Sequence, residues 1–313
     1  MSVSTAFGLK LALEFDVAGL APIEDPAPGE ATRVHLGETR DIEPTRDNLY
    51  EPLYGRRFED GRTAVSLHRH PQHGYRLFAD GLGTYEISKS LDELTCAPNP
   101  ELEPWQWQRY LTGGVLPLLA VLSGREVLHA SAVASGDRVI ALVGGSGAGK
   151  TSLALHLVAG GAQLFADDVL ALELSGDDVI AHPGVGVVNL SPDERQRMQG
   201  LIADEQIVGE DSEGMRVVVE RATQPLKLAT VYFINRPDAA GEVTFERLES
   251  GERILGATFN LSIRDPGRLR RHLDVCAEIA QRCGQYRVGV PASVPASELA
   301  EAISGHAAAA GAT

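Results

Sequence analysis

One run of eight residues limits what this chain can fold into more than any other: Gly144-Gly145-Ser146-Gly147-Ala148-Gly149-Lys150-Thr151. An apolar stretch, Arg138 to Val143, leads into it, and an apolar-periodic stretch, Lys150 to Ala159, leads out. The glycines free the backbone to turn tightly, so the run predicts a strand, a loop and a helix in immediate succession. Backbone N–H groups then converge on one point with a helix N-terminus behind them, which is the arrangement that cradles phosphate oxygens. The spacing G-x-x-x-x-G-K-[ST] adds the Lys150 ammonium, within reach of outer phosphates, and the Thr151 hydroxyl, suited to Mg2+. Gly144 to Ser152 are therefore the candidate nucleotide-binding residues, with ATP and Mg2+ as the candidate cofactors.

Two adjacent carboxylates, Asp167 and Asp168, follow the apolar segment Leu164-Phe165-Ala166. Carboxylates at the end of a buried strand are expensive unless something compensates them, and a metal ion and a proton-bearing hydroxyl would do so. Successive strand residues face opposite sides, so the two aspartates are expected to do different jobs. Upstream, Leu128-His129-Ala130-Ser131-Ala132-Val133 precedes the loop's strand, with Ser135-Gly136-Asp137 as the turn between them. A three-residue hairpin there sets Ala134 opposite Arg138 and His129 opposite Val143, roughly one strand spacing (~5 Å) from the loop. Transfer among phosphates also needs a cation for the migrating group, and Arg216 and Arg264 are the candidates.

Beyond Gly124 the chain alternates strands and helices, which predicts an α/β layer structure. Strands are expected at 127–133, 139–143, 164–172, 217–219, 229–234 and 243–248, and helices at 150–159, 192–203, 266–281 and 296–304. Residues 1–100 read as a β-rich unit that opens with one strand alternating from Phe7 to Val17 and ends in a connector, CAPNPELEP. Residues 101–124 read as a linker helix that Pro117 kinks, anchored by Trp105 and Trp107. The phosphate-loop domain then spans 125–304, and 305–313 read as a disordered tail.

The 43 acidic and 28 basic side chains give a formal charge of −15, which argues against nucleic acid and anionic membrane surfaces as partners. Cys96, Cys276 and Cys283 form no close pair, and no apolar run reaches the roughly 18 residues of a membrane span, so a cytoplasmic protein is expected. His68, His70 and His73 read as a polar loop rather than a metal site. The basic run Arg268, Arg270, Arg271 and His272 reads as a solvated helix face.

His129 in HASAV, the loop GGSGAGKTS and the FADD of Phe165 to Asp168 together resemble the HPr kinase/phosphorylase superfamily, whose core is related to phosphoenolpyruvate carboxykinase. The resemblance covers roughly 125–190, with Pro183-Gly184-Val185-Gly186 as a further matching strand, and is fainter to about 303. It departs at Lys150-Thr151-Ser152, where bacterial HPr kinases usually carry Lys-Ser-Glu, and their amino-terminal domain and phosphorylase-linked motif are not recognisable. LHASAV, the Trp-bearing helix and the β-rich front end are more similar to HPr-kinase-like serine kinases, including those of lasso-peptide clusters.

The resemblance implies a mixed sheet with flanking helices behind a small β-rich domain, and an ATP-dependent transfer to a serine of a protein or peptide. It implies Asp167 as the base and Asp168 on the metal side, with the reverse left open, and His129 orienting the base or touching the acceptor. A kinase for a sugar or cyclitol and an ATP-binding regulator without transfer are the alternatives. Whether the chain forms homo-oligomers is left open.

Overall fold

The computed structural model describes residues 2–23, 31–38, 49–198, 202–212, 214–236, 241–258 and 266–310. The chain divides into two compact units, the first built mainly from residues up to Arg125 and the second mainly from Glu126 onward.

Strands of the first unit are β1 (Ser2–Ala6), β2 (Leu9–Leu13), β3 (Ala21–Pro22), β4 (Thr32–Leu36) and β5 (Glu51–Arg57). They are followed by β6 (Thr63–His70), β7 (Gly74–Ala79), β8 (Gly83–Ile87) and β9 (Glu93–Pro98). All lie in one sheet, in the order β3-β1-β2-β4-β9-β8-β7-β6-β5. The single strand expected from Phe7 to Val17 is instead a hairpin. Phe7 and Gly8 both take positive φ, 55° and 74°, and Ala6 pairs with Leu9. A two-residue turn of that handedness matches strand twist, and the alternating pattern simply continues through it. Cys96 to Pro98, read as connector, end β9 and pair with β8.

Helix α1 (Pro104–Tyr110) runs through a π-helical turn, Leu111–Val115, into α2 (Leu116–Leu122). Pro117 has no N–H to return to the preceding turn, and the helix widens just before it: the Leu116 N–H donates to Leu111 O, five residues back. Trp107 is buried edge-on to Phe15 at 5.3 Å, and Gln108 Nε2 donates to Asp16 O at 2.8 Å, which fixes α1 on the unit's own strands.

The second unit begins with β10 (Glu126–Leu128), β11 (Ser131–Ser135), β12 (Arg138–Val143), α3 (Lys150–Ala159), β13 (Gln163–Ala166), β14 (Leu170–Ser175) and β15 (Asp178–His182). Next come β16 (Val187–Leu190), α4 (Pro192–Arg197), β17 (Ile207–Asp211), β18 (Gly214–Val218) and β19 (Leu226–Asn235). It closes with β20 (Thr244–Arg247), α5 (Glu252–Gly256), α6 (Pro266–Arg282), β21 (Gly284–Gly289) and α7 (Ala296–Ala310). The main sheet has the order β10-β14-β15-β19-β12-β11-β13, with β21 and β20 attached beside the second half of β19. It is mixed: β19 is parallel to β12 and β21, and the remaining pairs are antiparallel. Strands β16, β18 and β17 form a separate small sheet.

Both faces of the main sheet are covered. Val139, Ala141 and Val143 pack with Val275, Cys276 and Ile279 of α6. Ile140 and Leu142 pack with Leu153 and Leu157 of α3 and with Leu299 and Ile303 of α7. Strands buried on both sides read as unbroken apolar runs, which hides their ends. The expected strand 127–133 accordingly breaks at His129-Ala130, and the expected strand 164–172 breaks at Asp167-Asp168-Val169. The residues up to Ala310 in the expected tail are helical. Ala307 packs on the α3/α7 face, and His306 bonds the Tyr232 hydroxyl at 2.8 Å and stacks on Phe245 at 4.2 Å. Among the described residues no helix is long and apolar enough to cross a membrane.

Candidate active site

Strand directions decide which residues meet. β11 lies between β12 and β13 and is antiparallel to both. The ends of β12 and β13 therefore reach the same sheet edge as the start of β11. The glycine loop follows β12, Asp167 and Asp168 follow β13, and Ser131 opens β11. β19 is parallel to β12, so its end brings Arg236 to that edge too. This is the position at which open α/β sheets hold ligands.

Within the loop Gly147 and Gly149 take φ of 77° and 82°, a region closed to most side chains. At Gly144 an added Cβ would stand 3.0 Å from Ala148 Cβ and 3.2 Å from Ile234 O, so glycine there keeps the loop down on β19. The Leu153 N–H returns to Gly149 O at 2.9 Å and starts α3. The first N–H groups of a helix have no partner within it and favour anions. Lys150 is buried, and its Nζ donates to Gly144 O at 3.0 Å and Gly145 O at 3.3 Å. Arg236 Nε donates to Ala148 O at 3.3 Å from the other side.

Asp167 joins the loop to β11. Its Oδ1 accepts from Thr151 Oγ1 at 2.9 Å and from Ser131 Oγ at 2.6 Å. Its Oδ2 is buried and has no hydrogen-bond partner among the described residues. Burial, followed by the charge of Asp168, pushes the Asp167 carboxyl up to about 7, against the two hydroxyls that favour the ionised form. Asp168 takes φ of 62°, a rare conformation for a residue with a side chain. Such strain is held only where the surroundings over-determine it. A buried carboxyl bonded to two hydroxyls, one of them at the end of a loop that carries an ammonium and a row of amides, can bind a cation–phosphate pair and take up a proton.

The structure brings Lys150, Thr151, Asp167, Asp168 and the loop residues together, and corrects three expectations. The hairpin turn has two residues, not three: Ser135 pairs with Arg138 and Ala134 with Val139. His129 is consequently not opposite Val143. It lies in the break between β10 and β11, half-buried, with its N–H donated to Ala257 O at 2.6 Å. Ser152 turns away from the loop, its buried hydroxyl reaching Met198 Sδ at 3.8 Å. Arg216 is buried in β18 opposite Asn189, in the small sheet rather than the one that carries the loop. Arg264 lies outside the described residues.

Ser131 and Arg236 belong to the site without having been expected there. HASAV contained Ser131, but the strand break that frees it carries no pattern. Arg236 ends an apolar run whose pairing with β12 is non-local. Elsewhere, His70 Nδ1 accepts the N–H groups of Gln72 and His73, each at 3.1 Å, which spends the lone pair a metal would need. Among the described residues no group of three or more His, Cys, Asp or Glu is placed to hold a metal. His272, expected on a solvated face, is buried against Glu126, Nδ1 to Oε2 2.9 Å, with Nε2 3.0 Å from Thr258 Oγ1.

No family model matches the chain, and no curated protein matches it in sequence. Among solved structures it is similar to the Hpr(Ser) kinase/phosphatase from Coxiella burnetii, at 15% identity and a TM-score of 0.33, over 58% of this chain and 95% of that one. A likeness of that degree carries no weight for function, which rests on the geometry above.

Proposed function

We propose that the chain is an ATP-dependent kinase that transfers the γ-phosphate to a hydroxyl, a serine of a protein or peptide. The observation that carries this is Asp167, shared by the loop's Thr151 and by Ser131, with a second oxygen buried and unpartnered beside a loop shaped for phosphate. Phosphoryl transfer asks a protein chiefly for positioning and charge stabilisation, and these residues supply both.

The donor set of hydroxyl and carboxylates suits Mg2+, and the orphaned Asp167 Oδ2 is the oxygen that most needs a cation. Bound there, the ion would offset charge on the transferring group. Thr151 and one aspartate would hold it, and the other aspartate would accept the proton of the attacking hydroxyl. Asp167 is the aspartate bonded to the loop's Thr151, Oγ1 to Oδ1 2.9 Å, which favours Asp167 for the metal side. Asp168 is then the base, the reverse of the order that the family resemblance implies. The loop amides and Lys150 would bind the phosphates, Lys150 exchanging its two carbonyl partners for phosphate oxygens. His129, two residues before Ser131, would face the acceptor.

Incubation with γ-labelled ATP, Mg2+ and serine-bearing peptides tests this. Label should pass to a hydroxyl in the wild type and fall at least 10³-fold in Asp168→Asn, with ATP still bound. Asp167→Asn should raise the Mg2+ concentration required as well as slow transfer. Absence of ATP binding by the wild type, or full turnover in both variants, would sink the reading.

A further inference from the structure

The second unit carries a cavity of about 590 Å3 at the sheet edge opposite the glycine loop. Helix α3 separates the two places, with Lys150 and Thr151 in its first turn and Leu157, a wall of the cavity, in its last. The size lies within the range of small-molecule sites. Ile140, Leu157 and Ala307 give it apolar walls, and Thr230 lies on its floor. Thr230 is only 6% exposed, yet its hydroxyl has no hydrogen-bond partner among the described residues. Gly284 keeps that floor clear, since an added Cβ would come within 3.1 Å of the Tyr286 ring and 3.6 Å of Thr230 Oγ1.

Two arginines also line the cavity, and they stand far apart. Arg138 opens β12, whereas Arg247 ends β20, three strands away across β19 and β21 and level with Leu142 rather than Arg138, so that roughly 20 Å separates their Cα atoms. Each is exposed and has one loose acidic neighbour, Asp137 at 3.9 Å and Glu249 at 3.6 Å, which leaves most of its N–H donors unspent. One anionic group would satisfy one arginine and leave the other idle. A chain with an anion at each end satisfies both, lays its middle along the apolar walls and passes over the Thr230 hydroxyl.

We propose that this cavity binds a small molecule with two terminal anionic groups and a largely apolar middle, in its simplest form an α,ω-dicarboxylate. It needs no nucleotide and stands independently of the reaction at the loop.

Calorimetric titration of the full chain, without ATP, with glutarate, adipate, suberate, sebacate and the monoanion octanoate tests it. Affinity should pass through a maximum along the series, with the best diacid bound at least tenfold more tightly than glutarate or octanoate. Arg247→Ala, a surface change that leaves folding intact, should weaken that diacid about tenfold and octanoate far less. Ala307→Phe, which fills the cavity, should abolish binding while the far-ultraviolet spectrum stays that of the wild type. Saturating Mg-ATP should not compete. No measurable binding of any diacid, equal affinity for octanoate, indifference to Arg247→Ala, or competition by Mg-ATP would each overturn the proposal.

Discussion

At Asp167 the fold places a carboxyl where its ionised form is penalised, by burial first and by Asp168 second. The folded-state value, about 7, lies above the 3.8 of an unperturbed carboxyl. The penalty is therefore full above about pH 7, shrinks as the group takes up its proton and is gone below about pH 4. Asp167→Asn should raise Tm by about 3–8 °C at pH 8 and leave it nearly unchanged at pH 4, read by calorimetry without Mg2+. A stabilised protein with slowed transfer would mark Asp167 as a residue whose position serves the site at the fold's expense. A second residue-scale prediction concerns His272 and Glu126, each only 2% exposed and bonded at 2.9 Å. Removing one partner strands the other in the core, so His272→Ala should lose about 3 kcal/mol in urea unfolding.

Elements decide what the glycine loop can hold. Gly149 enters α3 at φ 82°, where a Cβ costs roughly 1–2 kcal/mol. Gly149→Ala should raise KM for ATP at least tenfold, while Tm falls by only a few degrees. Arg236 depends on the end of β19 for its place beside Ala148. Arg236→Ala should raise KM for ATP about fivefold or more at unchanged Tm, and Arg236→Lys should recover only part of that, since a point charge cannot reproduce the fork. The strand, loop and helix from Arg138 to Ala159 were legible because glycine and lysine spacing is local. The breaks at Phe7-Gly8, His129-Ala130 and Asp167-Val169 were not, because each is only two or three residues long and the apolar pattern resumes directly beyond it. Nor was the partnership of Ser131 with Asp167 legible, because it depends on β11 lying between two strands that run against it, and nothing local encodes that order. Helix α7 was underestimated because an alanine tail shows no periodicity until Tyr232 and Phe245 supply its contacts.

Across the whole molecule the −15 charge sets the terms on which a polyanion approaches. A net repulsive field is screened by salt, while contacts inside the loop are short enough to escape screening. KM for Mg-ATP should therefore hold steady or fall between 50 and 300 mM KCl. A KM rising severalfold over that range would show that long-range attraction, not the local cradle, holds the nucleotide.

The parallel pairing of β12 with β19 has a consequence in time. Arg138 and Lys227, 89 residues apart in sequence, must meet before the strand that carries the glycine loop has neighbours on both sides. Leaving the ribosome, β12 finds β11 at once through a two-residue turn, but it waits for most of the second unit to emerge before β19 arrives. Closing so long a segment is entropically slow, and parallel partners are the late events in folding. The loop is thus spelled out early and shaped last, and a chain truncated before Leu226 would contain every residue of the glycine loop and none of the strand on which Gly144 rests.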